Sequence, residues 1–257
     1  MTVRAIHGYS DTKSIIVAAL LLLLTSGTAC KRAEFDPLQQ GWAKVGNEPL
    51  ADAPLLRQAE ESSCVWQTSQ QAGKVTVSRQ RILNQPRQDI RVQTPNGILI
   101  GSNHGEWGGE LILSKSKEDL PQKILDGDVL QVVPAQDGFL IVTGTLPSNE
   151  GALWLYSNSN NRGWAAEKKA DSRGYPLAVY ETAKGTWMAT GDGIYLFDDK
   201  FEVQNHSDMP WLELHPNSIA SDNKGVVYVG MQAFVVRLTP TSTGYRHEWF
   251  VGDGCLR

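Results

Sequence analysis

Catalytic motifs are scarce in this sequence of 257 residues. It contains no Gly-x-Ser-x-Gly, no His-Glu-x-x-His and no phosphate-binding glycine loop. Three histidines, His206, His215 and His247, are scattered beside turn residues and aromatics. Because catalysis needs a nucleophile or an acid–base group with an orienting partner within reach, we expect a protein that is not an enzyme. The alternative is a small-molecule hydrolase or lyase whose residues converge at a central channel.

An excess of positive charge is also lacking. The chain has 24 Lys and Arg against 28 Asp and Glu. Residues 1–29, treated below as a leader, hold two of the basic and one of the acidic side chains. Their removal leaves 22 against 27, a net charge of −5. This mild acidity excludes nucleic acid as a partner, because nucleic-acid binding needs a basic surface.

One apolar run stands out, at residues 15–24, and it is too short to span a bilayer. Arg4 and Lys13 precede the run, and the small residues Thr-Ser-Gly-Thr-Ala follow it. A charged start, a short apolar centre and a small-residue cleavage site are typical of a secretory signal. We therefore predict a signal peptide over residues 1–29, and with it an exported protein.

The residues before Cys30 resemble a bacterial lipobox, in which the cysteine is lipidated and becomes the mature amino terminus. The departure is Gly27, where lipoboxes usually carry leucine. Ordinary signal cleavage at the same bond is the alternative. The resemblance implies lipid on Cys30. Since Lys31 is not the aspartate associated with inner-membrane retention, it also implies an outer-membrane anchor facing the periplasm. Residues 30–61 then form the lipidated amino terminus and a tether, because proline recurs and little periodicity is visible.

Cysteine is rare, with three in the chain. If Cys30 carries lipid, the remaining Cys64 and Cys255 form a pair near the two ends of the folded part. An oxidising compartment permits their disulfide. On the loop-entropy estimate, a bridge around so long a loop contributes about 5 kcal/mol. Two separate thiols are the alternative, since pairing does not follow from sequence.

Glycine turns between short β-prone segments recur along the chain. The clearest example is residues 185–197, two apolar runs that flank Thr-Gly-Asp-Gly. Related turns end at Gly97, Gly138, Gly185 and Gly225, which are 41, 47 and 40 residues apart. A period of this length with three or four strands per unit predicts propeller blades. We therefore predict an all-β fold over residues 62–257, a β-propeller of about five blades. Residues 248–251 are expected to complete the ring beside the first strands. A disulfide between Cys64 and Cys255 is then expected to hold this closure together.

Two of these units resemble the repeat of two-component-regulator β-propellers, a sensor-type class. They are Ala-Val-Tyr-Glu-Thr-Ala-Lys-Gly-Thr-Trp-Met-Ala-Thr-Gly-Asp-Gly-Ile-Tyr-Leu-Phe at residues 178–197 and Asn-Ser-Ile-Ala-Ser-Asp-Asn-Lys-Gly-Val-Val-Tyr-Val-Gly-Met at residues 217–231. With two looser copies, the resemblance covers roughly residues 98–238. It implies the fold and not a ligand.

The segment from Asn103 to Glu110, Asn-His-Gly-Glu-Trp-Gly-Gly-Glu, is longer than the equivalent Thr-Gly-Asp-Gly turn. Its glycines allow a close backbone approach, and a tryptophan at a loop tip supplies rigid contact area. We predict a partner-binding loop, with the side chains Asn103, His104, Glu106, Trp107 and Glu110. One alternative is a structural loop with the tryptophan in the core. Another is metal binding by His104, Glu106 and Glu110, a weak signal without a fourth ligand.

These patterns predict a non-catalytic binding module that faces the periplasm and needs neither cofactor nor metal. Its expected partner is an envelope protein or polymer, and its expected attachment to the membrane is the lipid on Cys30. An immunity-type lipoprotein against a periplasmic toxin is a further alternative.

Overall fold

The structure, a computed structural model of the chain, describes residues 35–46, 52–80, 89–116, 120–158, 163–182, 184–209 and 211–256. These residues belong to one compact unit, Glu34–Arg257. The predicted signal peptide and Cys30 lie outside the described residues. Within the described ranges, no helix is long and apolar enough to cross a membrane.

The described residues are almost entirely β-structure, as predicted. Nineteen strands and one α-helix are present in them. In chain order they are β1 (Ala43–Val45), α1 (Ala53–Glu60), β2 (Val65–Gln71), β3 (Lys74–Gln80), β4 (Ile90–Thr94), β5 (Gly97–Gly101), β6 (Glu110–Ser114), β7 (Gln122–Asp126), β8 (Asp128–Ala135), β9 (Gly138–Thr145), β10 (Glu150–Ser157), β11 (Ala165–Arg173), β12 (Pro176–Thr182), β13 (Gly185–Thr190), β14 (Gly193–Phe197), β15 (Val203–Asp208), β16 (Ser218–Ser221), β17 (Val227–Gly230), β18 (Phe234–Thr241) and β19 (Gly244–Val251).

The strands form five antiparallel sheets. Three have four consecutive strands: sheet I (β4–β7), sheet II (β8–β11) and sheet III (β12–β15). Sheet IV contains β16–β19, with β1 added beside β19. The fifth sheet is the hairpin β2–β3. First strands of consecutive sheets contact one another, β4 with β8, β8 with β12 and β12 with β16, and β16 contacts β2. The sheets are therefore neighbours in chain order, with the hairpin beside sheet IV.

Burial differs between the strands of each sheet. The second strands β13 and β17 are buried along their whole length, whereas the fourth strand β15 alternates between exposed and half-buried residues. A strand buried on both faces reads as a continuous apolar run, which explains Val-Tyr-Val-Gly in β17. The core consequently lies between neighbouring sheets.

Three of the four recurring glycines mark the same place in sheets I to III, whereas Gly225 lies in the turn before β17. Gly97, Gly138 and Gly185 are the first residues of β5, β9 and β13, and all three have positive φ. A Cβ at Gly185 would collide with the carbonyl oxygen of Phe197 on the third strand. Equivalent collisions would occur at the other two positions, with third-strand carbonyls of Ser114 and Tyr156. Glycine is required there because the second strand begins in a conformation and a space that exclude a side chain.

The region predicted as a tether differs from that expectation over its described part. β1 pairs with β19, with Ala43 opposite Val251. Asp52 caps the amino terminus of α1, and its side chain accepts a hydrogen bond from the backbone N–H of Leu55. Phe35 is buried in a cluster with Trp42, Trp66 and Tyr228. These contacts come from a three-residue strand, a helix cap and single aromatic residues, none of which has a periodic pattern in the sequence.

A buried carboxylate fastens β1 to sheet IV. The Glu248 side chain on β19 accepts hydrogen bonds from Lys44 Nζ of β1, at 2.9 Å, and from Arg237 Nη2 of β18, at 2.9 Å. Burial alone would raise the pKa of Glu248, but the hydrogen bonds and charges of Lys44 and Arg237 outweigh it and hold the pKa below its ordinary value.

The predicted disulfide between Cys64 and Cys255 is confirmed. Both cysteines are buried, and the carbonyl of Cys64 accepts a hydrogen bond from Ala233 N–H at 2.9 Å. Residues 248–251, predicted to close a ring beside the strands after Cys64, instead belong to β19 and pair with β18 and β1. The bridge thus joins the start of β2 to the end of sheet IV.

Candidate functional site

The loops that join second and third strands lie at one end of the sheets, here called the upper end. They are residues 102–109 in sheet I, 146–149 in sheet II, 191–192 in sheet III and 231–233 in sheet IV. The first is the longest. As the sequence indicated, the segment that includes Asn103 is an expanded version of the turn in sheet III.

Trp107 projects from this loop into solvent, with 91% of its surface exposed. The alternative in which this tryptophan packs in the core is therefore wrong. His104, Glu106 and Glu110 are also exposed, and Asn103 is half-buried. The exposed indole and the exposed side chains of Glu106 and Glu110 therefore all lie at the protein surface.

The backbone of the loop is held by its own hydrogen bonds. His104 N–H donates to the Gly108 carbonyl at 2.9 Å, and Gly108 N–H donates to the Gly105 carbonyl at 2.9 Å. Gly105 and Gly108 have φ of 66° and 73°, a left-handed conformation that favours glycine. A short 3₁₀ turn, Gly105–Trp107, results. The backbone on both sides of Trp107 is thus held in place.

Asp128, the first residue of β8 in sheet II, anchors the loop from below. Its carboxylate is 1% exposed. Oδ1 accepts a hydrogen bond from His104 N–H at 3.0 Å, and Oδ2 lies 3.5 Å from the Tyr175 hydroxyl. The Asn103 side chain donates to the same hydroxyl at 3.0 Å. Residues of sheet I, of sheet II and of the segment before sheet III therefore meet in one polar network.

Sequence reasoning missed Asp128 and Tyr175. The one available signal is the position of Asp128 at the start of an apolar strand. This position indicates a charged side chain at the edge of a buried region. Nothing in the sequence names its partner, because 24 residues separate Asp128 from His104 and 47 separate it from Tyr175.

A polar groove of about 730 Å³ adjoins the network between sheets II and III. Asn149 connects the two, since its side chain accepts a hydrogen bond from Tyr175 N–H at 2.8 Å. The other walls include Lys168, Arg173 and Asp192. The groove carries both signs of charge, and the loop residues Asn149 and Asp192 place it at the upper end.

Near sheet IV, other segments of the chain cover the upper end of the sheets. Gln232, in the loop of that sheet, donates from its backbone N–H to the Leu214 carbonyl and from its side chain to the Glu60 carbonyl of α1, both at 2.8 Å. Trp211 is fully buried, and its indole N–H donates to the Thr190 carbonyl at 2.7 Å. The uncovered part of the upper end therefore lies over sheets I to III.

The structure does not group the proposed metal ligands. Within the described residues, no three His, Cys, Asp or Glu side chains are arranged to hold a metal ion, and His104, Glu106 and Glu110 form no such group. Of the scattered histidines, His206 stacks on Tyr195 with ring centroids 4.2 Å apart, and lies on the outer strand of sheet III. His247 lies on β19 of sheet IV, so neither His206 nor His247 belongs to the loop that carries Trp107.

Comparison with known proteins gives no family. No family model matches the sequence, and no curated protein matches it. Among solved structures, the chain is similar to a virginiamycin B lyase from Staphylococcus aureus, at 10% identity and a TM-score of 0.39, over 72% of this chain and 69% of that one. It is also similar to a bifunctional GH43-CE protein from Bacteroides eggerthii, at 9% identity and a TM-score of 0.34. That match covers 62% of this chain and 27% of the other, so the chain spans about a quarter of its length.

Proposed function

We propose that the protein is a non-catalytic binding module of the cell envelope, which faces the periplasm and holds a protein or polymer partner through the loop of Trp107. The observation that carries the proposal is an indole that is 91% exposed on a loop whose backbone is already hydrogen-bonded. Tryptophan is prominent among residues that dominate binding energy in interfaces.

The magnitude favours binding through this side chain. Burial of a tryptophan removes about 200 Å² from water, which corresponds to about 5 kcal/mol before association costs. Ordering of a loop on binding would offset part of this gain. Here the bonds from His104 to Gly108 and to Asp128 already order the backbone, so the offset is small.

The charge beside the indole suggests the chemistry of the partner. Glu106 on the loop and Glu110 at the start of β6 are both exposed. A matching surface has an apolar socket for Trp107 with basic groups at its edge, because complementary charge raises the association rate and rejects wrong partners. An acidic polymer does not fit this description, whereas a protein with a basic rim does.

Affinity capture from detergent-solubilised envelope tests the proposal. We expect Trp107→Ala to weaken partner binding at least about 30-fold, the equivalent of about 2 kcal/mol. Trp107→Phe should retain an intermediate affinity because it keeps an aromatic ring. Leu120→Ala is the matched control, since Leu120 is 93% exposed and lies outside the loop. Equal capture by all three variants would remove the loop from the proposal.

We propose further that sheets I to IV and the hairpin β2–β3 are the five blades of a propeller of the two-component-regulator type. The contacts between consecutive first strands support this arrangement. A compact unit of this size has a radius of gyration of about 17 Å. Small-angle scattering should give that value, and a value above about 20 Å would indicate an open arc instead.

The proposed location depends on Cys30, which is expected to carry lipid after removal of residues 1–29. Mass spectrometry of the mature amino terminus tests this expectation. A diacylated or triacylated cysteine supports an outer-membrane anchor, and an unmodified Cys30 leaves an exported protein without one.

A further inference from the structure

A second pocket lies at the lower end of the sheets, where turns join first and second strands. It occupies about 580 Å³ between sheets III and IV. The turn at Lys184 borders it on one side, and residues 222–225 border it on the other. Its volume is within the range of small-molecule sites, about 300–1,000 Å³. Since Trp107 projects from the upper end, the two sites are separate.

Aromatic side chains form the inner wall of this lower pocket. Tyr180, Trp187 and Leu196 stand opposite one another across β12, β13 and β14, and so form a row on one face of sheet III. Tyr245 of sheet IV meets Trp187 edge to face, with ring centroids 5.2 Å apart. Trp187 is 5% exposed and forms the floor, while Tyr180 and Tyr245 are half-buried. Part of each tyrosine ring is thus available to a ligand.

The tyrosine hydroxyls differ in their bonding. Burial raises the pKa of Tyr180, and a hydrogen bond with Ser221 partly opposes the rise. Burial also raises the pKa of Tyr245, with no opposing hydrogen bond. Both rings therefore remain neutral at physiological pH and offer a phenolic hydroxyl beside an apolar wall.

Charged groups surround the mouth without favouring one sign. Lys184 reaches from sheet III toward sheet IV, because its Nζ lies 4.0 Å from the position that a Cβ on Gly225 would take. Lys224 lies on the facing turn. Against these two cations stand the carboxylate of Glu181, whose pKa is raised by desolvation, and that of Asp222, which is buried in the facing turn and accepts the backbone N–H groups of Lys224 and Val226. The balance does not select an anion or a cation, yet it supplies donors and acceptors on several sides.

We infer that the lower pocket binds a neutral saccharide, one or two sugar rings of an oligosaccharide or glycan. A sugar ring has an apolar face that packs on aromatic rings and hydroxyls at its edge that both donate and accept hydrogen bonds. The half-buried Tyr180 and Tyr245 fit the ring face. Glu181, Lys184 and Lys224 fit the hydroxyls. An anionic ligand would be repelled by the two carboxylates, and a cationic ligand would be repelled by the two lysines.

Direct binding measurements on the full exported protein test this inference. Cellotriose and tri-N-acetylchitotriose serve as neutral probes, sialyllactose as an anionic probe and triglycine as a zwitterionic one. We expect a neutral probe to bind with a dissociation constant of about 1 mM or tighter, by calorimetry or saturation-transfer NMR. Tyr245→Ala should weaken it at least about tenfold, and Tyr245→Phe should retain most of the affinity because the ring remains.

Two further variants keep the test decisive. Lys184→Ala alters an exposed side chain and is expected to fold normally while it weakens the neutral probe severalfold. Trp107→Ala should bind saccharide like the wild type, which separates this inference from the proposed partner-binding loop. No binding of either neutral probe up to about 10 mM would overturn the inference. So would binding that Tyr245→Ala leaves unchanged, or selective binding of sialyllactose or triglycine.

Discussion

Replacement of Asp128 by alanine is the perturbation that most directly tests how the Trp107 loop is held. The carboxylate is buried, and it accepts the His104 N–H at 3.0 Å and lies 3.5 Å from the Tyr175 hydroxyl. A hydrogen bond to a charged group contributes about 1.5–3 kcal/mol. The 3.0 Å bond from His104 should contribute fully and the 3.5 Å contact with Tyr175 only weakly. Asp128→Ala should therefore lower the free energy of unfolding by about 2–3 kcal/mol. The corresponding fall in melting temperature is about 4–12 °C.

The measurement combines denaturant unfolding with amide hydrogen exchange at His104. Exchange of that amide should accelerate in Asp128→Ala, because the amide loses one of its two acceptors and keeps only the Gly108 carbonyl. Asp126→Ala is the matched control, two residues earlier, where the side chain is 79% exposed and pairs with Lys123. Its effect should stay below about 0.5 kcal/mol, as is usual for surface ion pairs. If Asp128→Ala behaves like Asp126→Ala in both measurements, the polar network does not organise the loop.

Three further predictions concern the fold. Cys64→Ser together with Cys255→Ser should lower the free energy of unfolding by up to about 5 kcal/mol in denaturant titrations, because the bridge spans 191 residues and restricts the unfolded chain. A change under about 1 kcal/mol would contradict this loop-entropy explanation. Glu248→Gln should cost about 2 kcal/mol at pH 7. Because folding lowers the pKa of Glu248, its stabilisation is present above the ordinary value of 4.5 and disappears as pH falls through the folded-state pKa, so wild type and variant should converge in acid. Gly185→Ala should cost about 1–3 kcal/mol in thermal melts, whereas Gly46→Ala, with open space around it, should be close to neutral.

The repeat pattern was predictable because it depends on local chemistry. Gly97, Gly138 and Gly185 recur since each second strand starts with a backbone conformation that excludes a Cβ, and this requirement leaves glycine at a regular interval. The disulfide was predictable for a similar reason, because few cysteines were available to pair. The all-β character of the chain followed from these signals.

Long-range polar contacts and single anchoring residues were not predictable. The strand β1 is three residues long, and its attachment depends on Lys44 and on backbone pairing with β19, neither of which has a periodic signature. Asp128 reads as an ordinary acid in a turn until the fold brings His104 and Tyr175 to it. Exposure of Trp107 was one of two alternatives, because a tryptophan beside glycines fits both a surface loop and a core. Tertiary packing decides whether such a side chain is exposed or buried, and the sequence pattern does not contain that information.

Site-specific photocross-linking in living cells tests the central claim most directly. A photoreactive phenylalanine analogue at position 107 samples the partner surface, and the same analogue at position 120 samples an equally exposed site away from the loop. The proposed function predicts a discrete adduct from position 107 that is absent from position 120 and weakened in the Asp128→Ala background. Absence of an adduct at position 107, or the same adducts at both positions, would contradict it.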